Sequence, residues 1–223
     1  MKKILFLIFS LYVGSLYSQS LELAAGVDIN TFYQVGNNSY HYTSTYTMGP
    51  GFVVRGAYNI SERHKIPIRL TIAYDKYQGD LSAQNSGLGG GYYLDAQIDK
   101  SVLMFGVSAN VLKPTNNLNL SFGLDFSVLL TESVDGTERF WSQDSTWTRD
   151  MTESYKDYNS SSYFGLNATI SYDFHITDEI SIFPQYTFYL GLSKELTKFP
   201  DFTKSIRQYF CIGIKKKIVR KNN

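Results

Sequence analysis

Features that commonly identify a protein class are scarce in this 223-residue sequence. Its single cysteine, Cys211, excludes an internal disulfide framework. The formal net charge of +1 gives no indication of a nucleic-acid partner. After residue 18, no segment approaches the roughly 18 uninterrupted apolar residues of a spanning helix, so we expect no helical membrane anchor. The length suits one all-β domain.

Residue patterns that hold metals or phosphates are also missing. His41 and His64 have no metal-ligand spacing to each other, and we predict neither a metal site nor a cofactor. The glycines at 87 and 89–91 lack the following helix and the Lys-Ser/Thr pair of a phosphate-binding loop. We therefore interpret this stretch as a flexible loop.

The first 18 residues have the organisation of a secretory signal peptide. Lys2 and Lys3 form a positive start, residues 4–13 form a short apolar core, and small residues follow. We expect cleavage after Ser18, with cleavage after Ser15 as the alternative. Residues 19–223 then form the mature domain.

Residues 118–130 carry the clearest structural pattern in the chain. Apolar side chains occupy every even position from Leu118 to Leu130, whereas Asn, Ser, Gly and Asp occupy the odd positions 119–127. Successive side chains of a strand point to opposite faces, so this segment has one apolar face and one small, polar face. Its length suits a strand that crosses a bilayer at a tilt, which needs about 9–11 residues.

Seven further segments are interpreted as strands of the same kind. The eight predicted strands are 20–33, 47–60, 65–77, 92–112, 118–130, 161–176, 180–192 and 205–218. Short turns (61–64, 113–117, 177–179) alternate with long loops (34–46, 78–91, 131–160, 193–204). The sequence therefore predicts an all-β fold, an eight-stranded antiparallel transmembrane up-and-down β-barrel with short periplasmic turns and long extracellular loops.

One predicted strand, 92–112, is irregular. Leu94 and Ile98 have the opposite parity to Phe105 and Val107, although all four are apolar. One extra residue in a strand exchanges its two faces, so we expect a β-bulge near residues 99–101.

The polar face of the predicted strands carries six charged residues, which are Asp28, Arg55, Arg69, Asp125, Asp173 and Arg207. The alternative architecture is a soluble barrel of lipocalin type, whose apolar face would point inward. A membrane barrel instead puts the charges in the lumen, and eight strands leave just enough room for side chains. We expect a salt-bridged plug, with a narrow small-solute channel as the porin-like alternative.

The signal peptide followed by eight such strands resembles the small outer-membrane barrels of OmpA/OmpX type. The Tyr- and Asn-rich loops and the Phe-Cys-Ile-Gly-Ile-Lys sequence at 210–215 resemble the PorT-like barrels of Bacteroidetes-type bacteria. The resemblance implies a cell-outer-membrane location, with outer-membrane lipid and the outer-membrane assembly machinery as partners. This chain departs from it by ending Ile218-Val219-Arg-Lys-Asn-Asn, so its assembly signal is weaker or lies near Phe210.

We expect a non-enzymatic protein with a structural or surface-interaction role, and the PorT-like resemblance implies a secretion-system accessory as the alternative. His175 could serve in a His-Ser lipid hydrolase, but we expect it inside the barrel near the periplasmic end. Loop 131–160 holds both tryptophans and seven acidic residues, which suits a surface or periplasmic protein partner. Its candidate residues are Trp141, Trp147, Asp144, Asp150 and Tyr155. Alternatively, the two flanking strands extend into it as a hairpin.

Overall fold

The computed structural model describes residues 19–34, 43–60, 67–87, 89–112, 117–150, 160–195 and 203–218. Ten strands run through these residues, namely β1 (Gln19–Gln34), β2 (Thr43–Ile60), β3 (Ile68–Gly87), β4 (Gly90–Leu112), β5 (Leu118–Ser142), β6 (Thr146–Asp150), β7 (Ser162–Tyr172), β8 (Phe174–His175), β9 (Ile180–Gly191) and β10 (Thr203–Ile218). No helix with the length and hydrophobicity needed to span a bilayer occurs in this part of the chain. The predicted signal peptide and Tyr155 lie outside the described residues.

Eight of these strands form a closed antiparallel ring. Each ring strand pairs with the next along the chain, in the order β1, β2, β3, β4, β5, β7, β9, β10, and β10 pairs with β1. Short β6 pairs with β5, and two-residue β8 pairs with β9. The predicted eight-stranded up-and-down barrel is confirmed. Closure leaves the ring without a free strand edge, so its backbone groups pair within the sheet.

The two faces of the ring strands differ as the alternation of residue types predicts. On β5, Phe122, Leu124 and Phe126 are about half exposed on the outer face. Ser121 and Asp125 point inward and are 3% and 5% exposed. A lipocalin-type barrel would have the reverse arrangement, so that alternative is excluded.

Two strands continue much further than the sequence indicates. β3 runs to Gly87, and β5 runs to Ser142, paired with β4 along its length. The predictions of loops at 78–91 and throughout 131–160 are therefore wrong, and the alternative of extended strands describes 131–142 better. We call residues 76–87, 90–101, 131–142 and β6 the extension.

The expected bulge lies on β5 and not on β4. Ser101 pairs with Thr131 and Val102 with Leu129, which leaves Leu130 as the extra residue. Along β4, inward side chains alternate without interruption from Leu94 to Met104. The prediction of a bulge at 99–101 is wrong because it assumed that apolar side chains face outward throughout.

Side-chain polarity reverses at this bulge. The cross-strand row of Tyr74, Leu103 and Val128 is apolar on the outer face, and the next outer row is Lys76, Ser101 and Thr131. On the inner face, buried Leu94, Ala96, Ile98 and Val134 replace the polar lumen residues. Beyond Lys100 and Glu132, which lie on the inner face next to the bulge, the extension is mainly apolar inside and polar outside, as in a water-soluble sheet.

Candidate functional site

The structure places all six sequence-predicted lumen charges inside the barrel, where none is more than 6% exposed. They do not form one network. The ion pairs within 4.0 Å divide into a cluster towards the extension and a second cluster at the end that holds both described chain ends. Among the described residues, neither Asp28 nor Arg55 nor Asp125 takes part in such an ion pair.

The first cluster is built around Arg207, whose side chain is fully buried. One guanidinium nitrogen, Nη1, lies 3.0 Å from Asp75 Oδ2, and the other, Nη2, lies 3.2 Å from Glu195 Oε1. The guanidinium plane also lies over the rings of Tyr77 and Tyr189, at 4.5 and 4.3 Å from their centroids. Arginine suits such a site because its planar fork pairs with carboxylates and stacks on aromatic faces.

Glu195 enters this cluster from the segment after β9, which the sequence indicates only as a polar loop. Its carboxylate accepts hydrogen bonds from Tyr77 Oη at 2.9 Å and from the Ser205 hydroxyl. Lys100 Nζ lies 3.8 Å from the same carboxylate and 3.8 Å from Glu132. A strand alternation pattern could not find Glu195, because the residue lies outside any strand and its partners are far away in sequence.

The second cluster is built around Glu22. Arg69 Nη2 lies 2.6 Å from Glu22 Oε2, and Lys215 Nζ bridges Glu22 at 3.4 Å and Asp173 at 2.8 Å. Arg69 also donates a hydrogen bond to Gln185 Oε1 at 2.9 Å. The carboxylate beside Arg69 is therefore Glu22, which is not one of the six predicted lumen charges.

Arg55 lies between the two clusters. Its Nη1 donates a hydrogen bond to Thr187 Oγ1 at 3.1 Å, and its guanidinium lies 5.2 Å from the ring centroid of Tyr209. Tyr209 Oη in turn donates to Asp75 Oδ2 at 2.9 Å. The lumen is therefore filled with side chains from one cluster to the other, as an eight-stranded barrel requires.

His175 has a serine neighbour. Its Nδ1 lies 2.7 Å from Ser181 Oγ, at the end of the barrel near the bend 176–179. A serine nucleophile must be reachable by substrate, but Ser181 is only 2% exposed. We conclude that the His175–Ser181 contact positions the end of β8 against β9.

Among the described residues, no group of three or more His, Cys, Asp and Glu side chains is arranged to hold a metal.

The predicted partner residues lie on and beside the β5–β6 hairpin of the extension. Trp147 stacks on Phe140, with ring centroids 5.7 Å apart, whereas Trp141 pairs with Thr146 on the opposite face. Asp144 lies exposed in the turn, and Asp150 is exposed at the end of β6. The two tryptophans therefore lie on opposite faces of the hairpin, which the spacing in the sequence does not reveal.

Two clefts lie side by side on the outer face of the extension. The larger, about 780 Å³, lies towards the barrel and is lined by Asp80, Ser82, Asp95, Ala96, Gln97, Asp135, Gly136, Thr137, Thr148 and Asp150. The smaller, about 420 Å³, is lined by Tyr93, Arg139, Trp141 and Thr146. Both volumes are in the range of small-molecule sites.

No protein-family model matches the chain, and no curated protein matches it. Among solved structures, the chain is similar to the attachment invasion locus protein Ail of Yersinia pestis (12% identity, 89% of this chain and 99% of that chain, TM-score 0.38). It is also similar to Neisserial surface protein A (10%, 89% and 97%, TM-score 0.40) and to the outer membrane protein OprG of Pseudomonas aeruginosa (10%, 92% and 97%, TM-score 0.41). At these identities and TM-scores, the architecture rests on the strand pairing and on the distribution of polar side chains.

Proposed function

We propose that this chain is an integral outer-membrane β-barrel without enzymatic activity, which presents its extension to the cell's surroundings. One observation carries the proposal, namely the apolar outer face of the closed ring. Every ring strand contributes an exposed apolar side chain to this belt, for example Val27, Phe52, Ile72, Phe105, Leu124, Leu166, Phe188 and Phe210. A water-soluble monomer rarely exposes so large a continuous apolar surface.

The height of the belt also supports a bilayer. On β5 the apolar outward residues run from Leu118 to Val128, where polarity reverses. Ten steps of about 3.3 Å at a tilt of about 40° give roughly 25 Å, which matches the lipid-facing band of outer-membrane barrels. β7 and β9, with 11 and 12 residues, are close to the minimum span.

The filled lumen favours a structural or surface-interaction role over a small-solute channel. Arg207, Lys100, Tyr77, Tyr189 and Tyr209 are at most 1% exposed and occupy the lumen towards the extension. A role as a secretion-system accessory remains a second proposal, which rests on the PorT-like sequence resemblance alone.

Fractionation and surface labelling test the proposal. The protein should fractionate with the outer membrane and should migrate differently on gels before and after boiling. A Cys211→Ser background with Asp135→Cys in the extension should react with an impermeant maleimide on whole cells. Asp178→Cys, at the opposite end, is the matched control and should react only after the outer membrane is opened. Recovery as a soluble periplasmic monomer, or the reverse labelling pattern, would contradict the proposal.

A further inference from the structure

We infer that the outer face of the extension is a binding site for a neutral oligosaccharide. This inference rests on the proposed function, since it assigns a ligand class to the surface that the barrel presents. It concerns the two adjacent clefts, which together we call the outer cleft. The cleft includes residues of β3, β4, β5 and β6, so its floor is a paired sheet and not a loose loop.

Strand register sets the order of side chains along the outer cleft. On β5 the outward residues are Asp135, Thr137, Arg139 and Trp141, in sequence away from the barrel. Asp95 lies opposite Thr137, and Tyr93 lies opposite Arg139, on the neighbouring strand β4. From Asp135 to Trp141 the sheet spans roughly 20 Å at about 3.4 Å per residue, which is enough for several sugar rings.

The distal half of the cleft combines flat rings with a guanidinium group. Tyr93 and Trp141 offer amphipathic aromatic surfaces, which suit ligands with one apolar and one wet side. A pyranose ring is such a ligand, because its axial C–H groups form an apolar face and its hydroxyls lie at the rim. Arg139, level with Tyr93 and two residues before Trp141, has up to five N–H donors for oxygen acceptors.

The proximal half has the opposite hydrogen-bonding character. Four carboxylates supply acceptors, and Thr137 and Thr148 supply hydroxyls; the carboxylates are those of Asp80, Asp95, Asp135 and Asp150. A sugar hydroxyl both donates and accepts, so a neutral saccharide can hydrogen-bond to the carboxylates and to the guanidinium at once. A polyanionic glycan would be repelled by the carboxylates, whereas a basic peptide would pair with them but would leave Arg139 and the two rings of the distal half without a partner.

The positions of the two tryptophans allow ligand binding to be measured by fluorescence. Trp141 lines the cleft, whereas Trp147 stacks on Phe140 on the other face, and the chain has no third tryptophan. The full mature chain with Trp147→Phe, folded in a detergent without sugar groups, therefore reports on the cleft by fluorescence. Maltohexaose, cellohexaose, chitohexaose and laminarihexaose are titrated separately, beside a heparin hexasaccharide and hexalysine.

At least one neutral hexasaccharide should change Trp141 fluorescence saturably, and the heparin hexasaccharide and hexalysine should not. Arg139→Ala should weaken that binding by about tenfold or more, as expected for a central contact residue. Arg149→Ala is the matched control, since Arg149 pairs with Glu138 on the opposite face and should leave the affinity within about twofold.

Saturable binding of hexalysine or of the heparin hexasaccharide alone would overturn the inference in favour of a charged ligand. Equal losses in Arg139→Ala and Arg149→Ala would also overturn it. A flat response to every neutral hexasaccharide would overturn it while a heat-modifiable, correctly labelled barrel left the proposed function intact. Failure of the labelling pattern on cells would instead overturn the proposed function.

Discussion

Within the single strand β4, Val107 lies on the outer face and is 54% exposed, whereas Ile98 lies on the inner face and is fully buried. The same comparison holds on β5, where exposed Leu124 lies below the bulge at Leu130 and buried Val134 lies above it. The barrel wall thus has an apolar outside and a charged inside, and the extension has the reverse. Two regions with the same backbone and continuous pairing therefore suit different surroundings, which under the proposed function are lipid and water.

Under the proposed function, the difference indicates how a strand can pass from lipid to water without a break in its ladder. β4 keeps its parity across this boundary, from Leu94 to Met104, and its side chains change type where the surroundings change. β5 instead inserts one residue at Leu130, which exchanges its faces. A bulge and a change of residue type are thus two ways in which a strand exchanges its apolar and polar faces at this boundary. Three predictions test the boundary.

The largest effect is expected inside the barrel wall, at Arg207. Arg207→Met removes the cation from between buried Asp75 and Glu195, and loss of one partner of a buried ion pair costs about 3–5 kcal/mol. The free energy of unfolding should be measured by urea titration of the protein in lipid vesicles. Lys215→Met is the control, since the Lys215 side chain is 17% exposed and Glu22 keeps its ion pair with Arg69. Equal losses would mean that the interior near Arg207 is hydrated.

The second prediction compares two outward positions on β5. Leu124→Arg places a charge on the proposed lipid face and should destabilise the barrel by about 2–4 kcal/mol. Ser133→Arg, also exposed on the outer face but beyond the bulge, should change stability by less than about 0.5 kcal/mol. The same vesicle assay measures both. Similar effects would place Ser133 in lipid and move the boundary away from Lys76, Ser101 and Thr131.

The accuracy of sequence reasoning follows the same boundary. In the wall, alternation predicts the start of β5 at Leu118 and the correct faces up to Val128, because an apolar outside and a polar inside produce a strict period of two. In the extension the apolar side chains face inward and the polar ones outward. The outward-apolar rule therefore makes Leu94, Ala96 and Ile98 an irregularity and 131–142 a loop. Glu195 was missed for another reason, since its partners come from β3, β4 and β10. Contacts over such distances have no local pattern in the sequence.

The smallest expected effect tests whether the extension has a packed interior of its own. Ile98→Val removes one methylene from a fully buried inner-face position, and such a change typically costs about 0.5–1.5 kcal/mol. Ile72→Val makes the same change on the outer belt, where Ile72 is 51% exposed and lipid chains can fill the space, so we expect less than about 0.5 kcal/mol.

Amide hydrogen exchange along β4 measures the local opening free energy, and it therefore reports on the extension and on the barrel separately. Ile98→Val should lower protection around residues 94–100, whereas Ile72→Val should leave protection unchanged on β3 and β4. Unchanged protection in Ile98→Val would mean that the inner face of the extension is loosely packed. The inner face would then be shielded from water without close packing between its side chains. The outer cleft would lose the rigid floor on which its side chains depend.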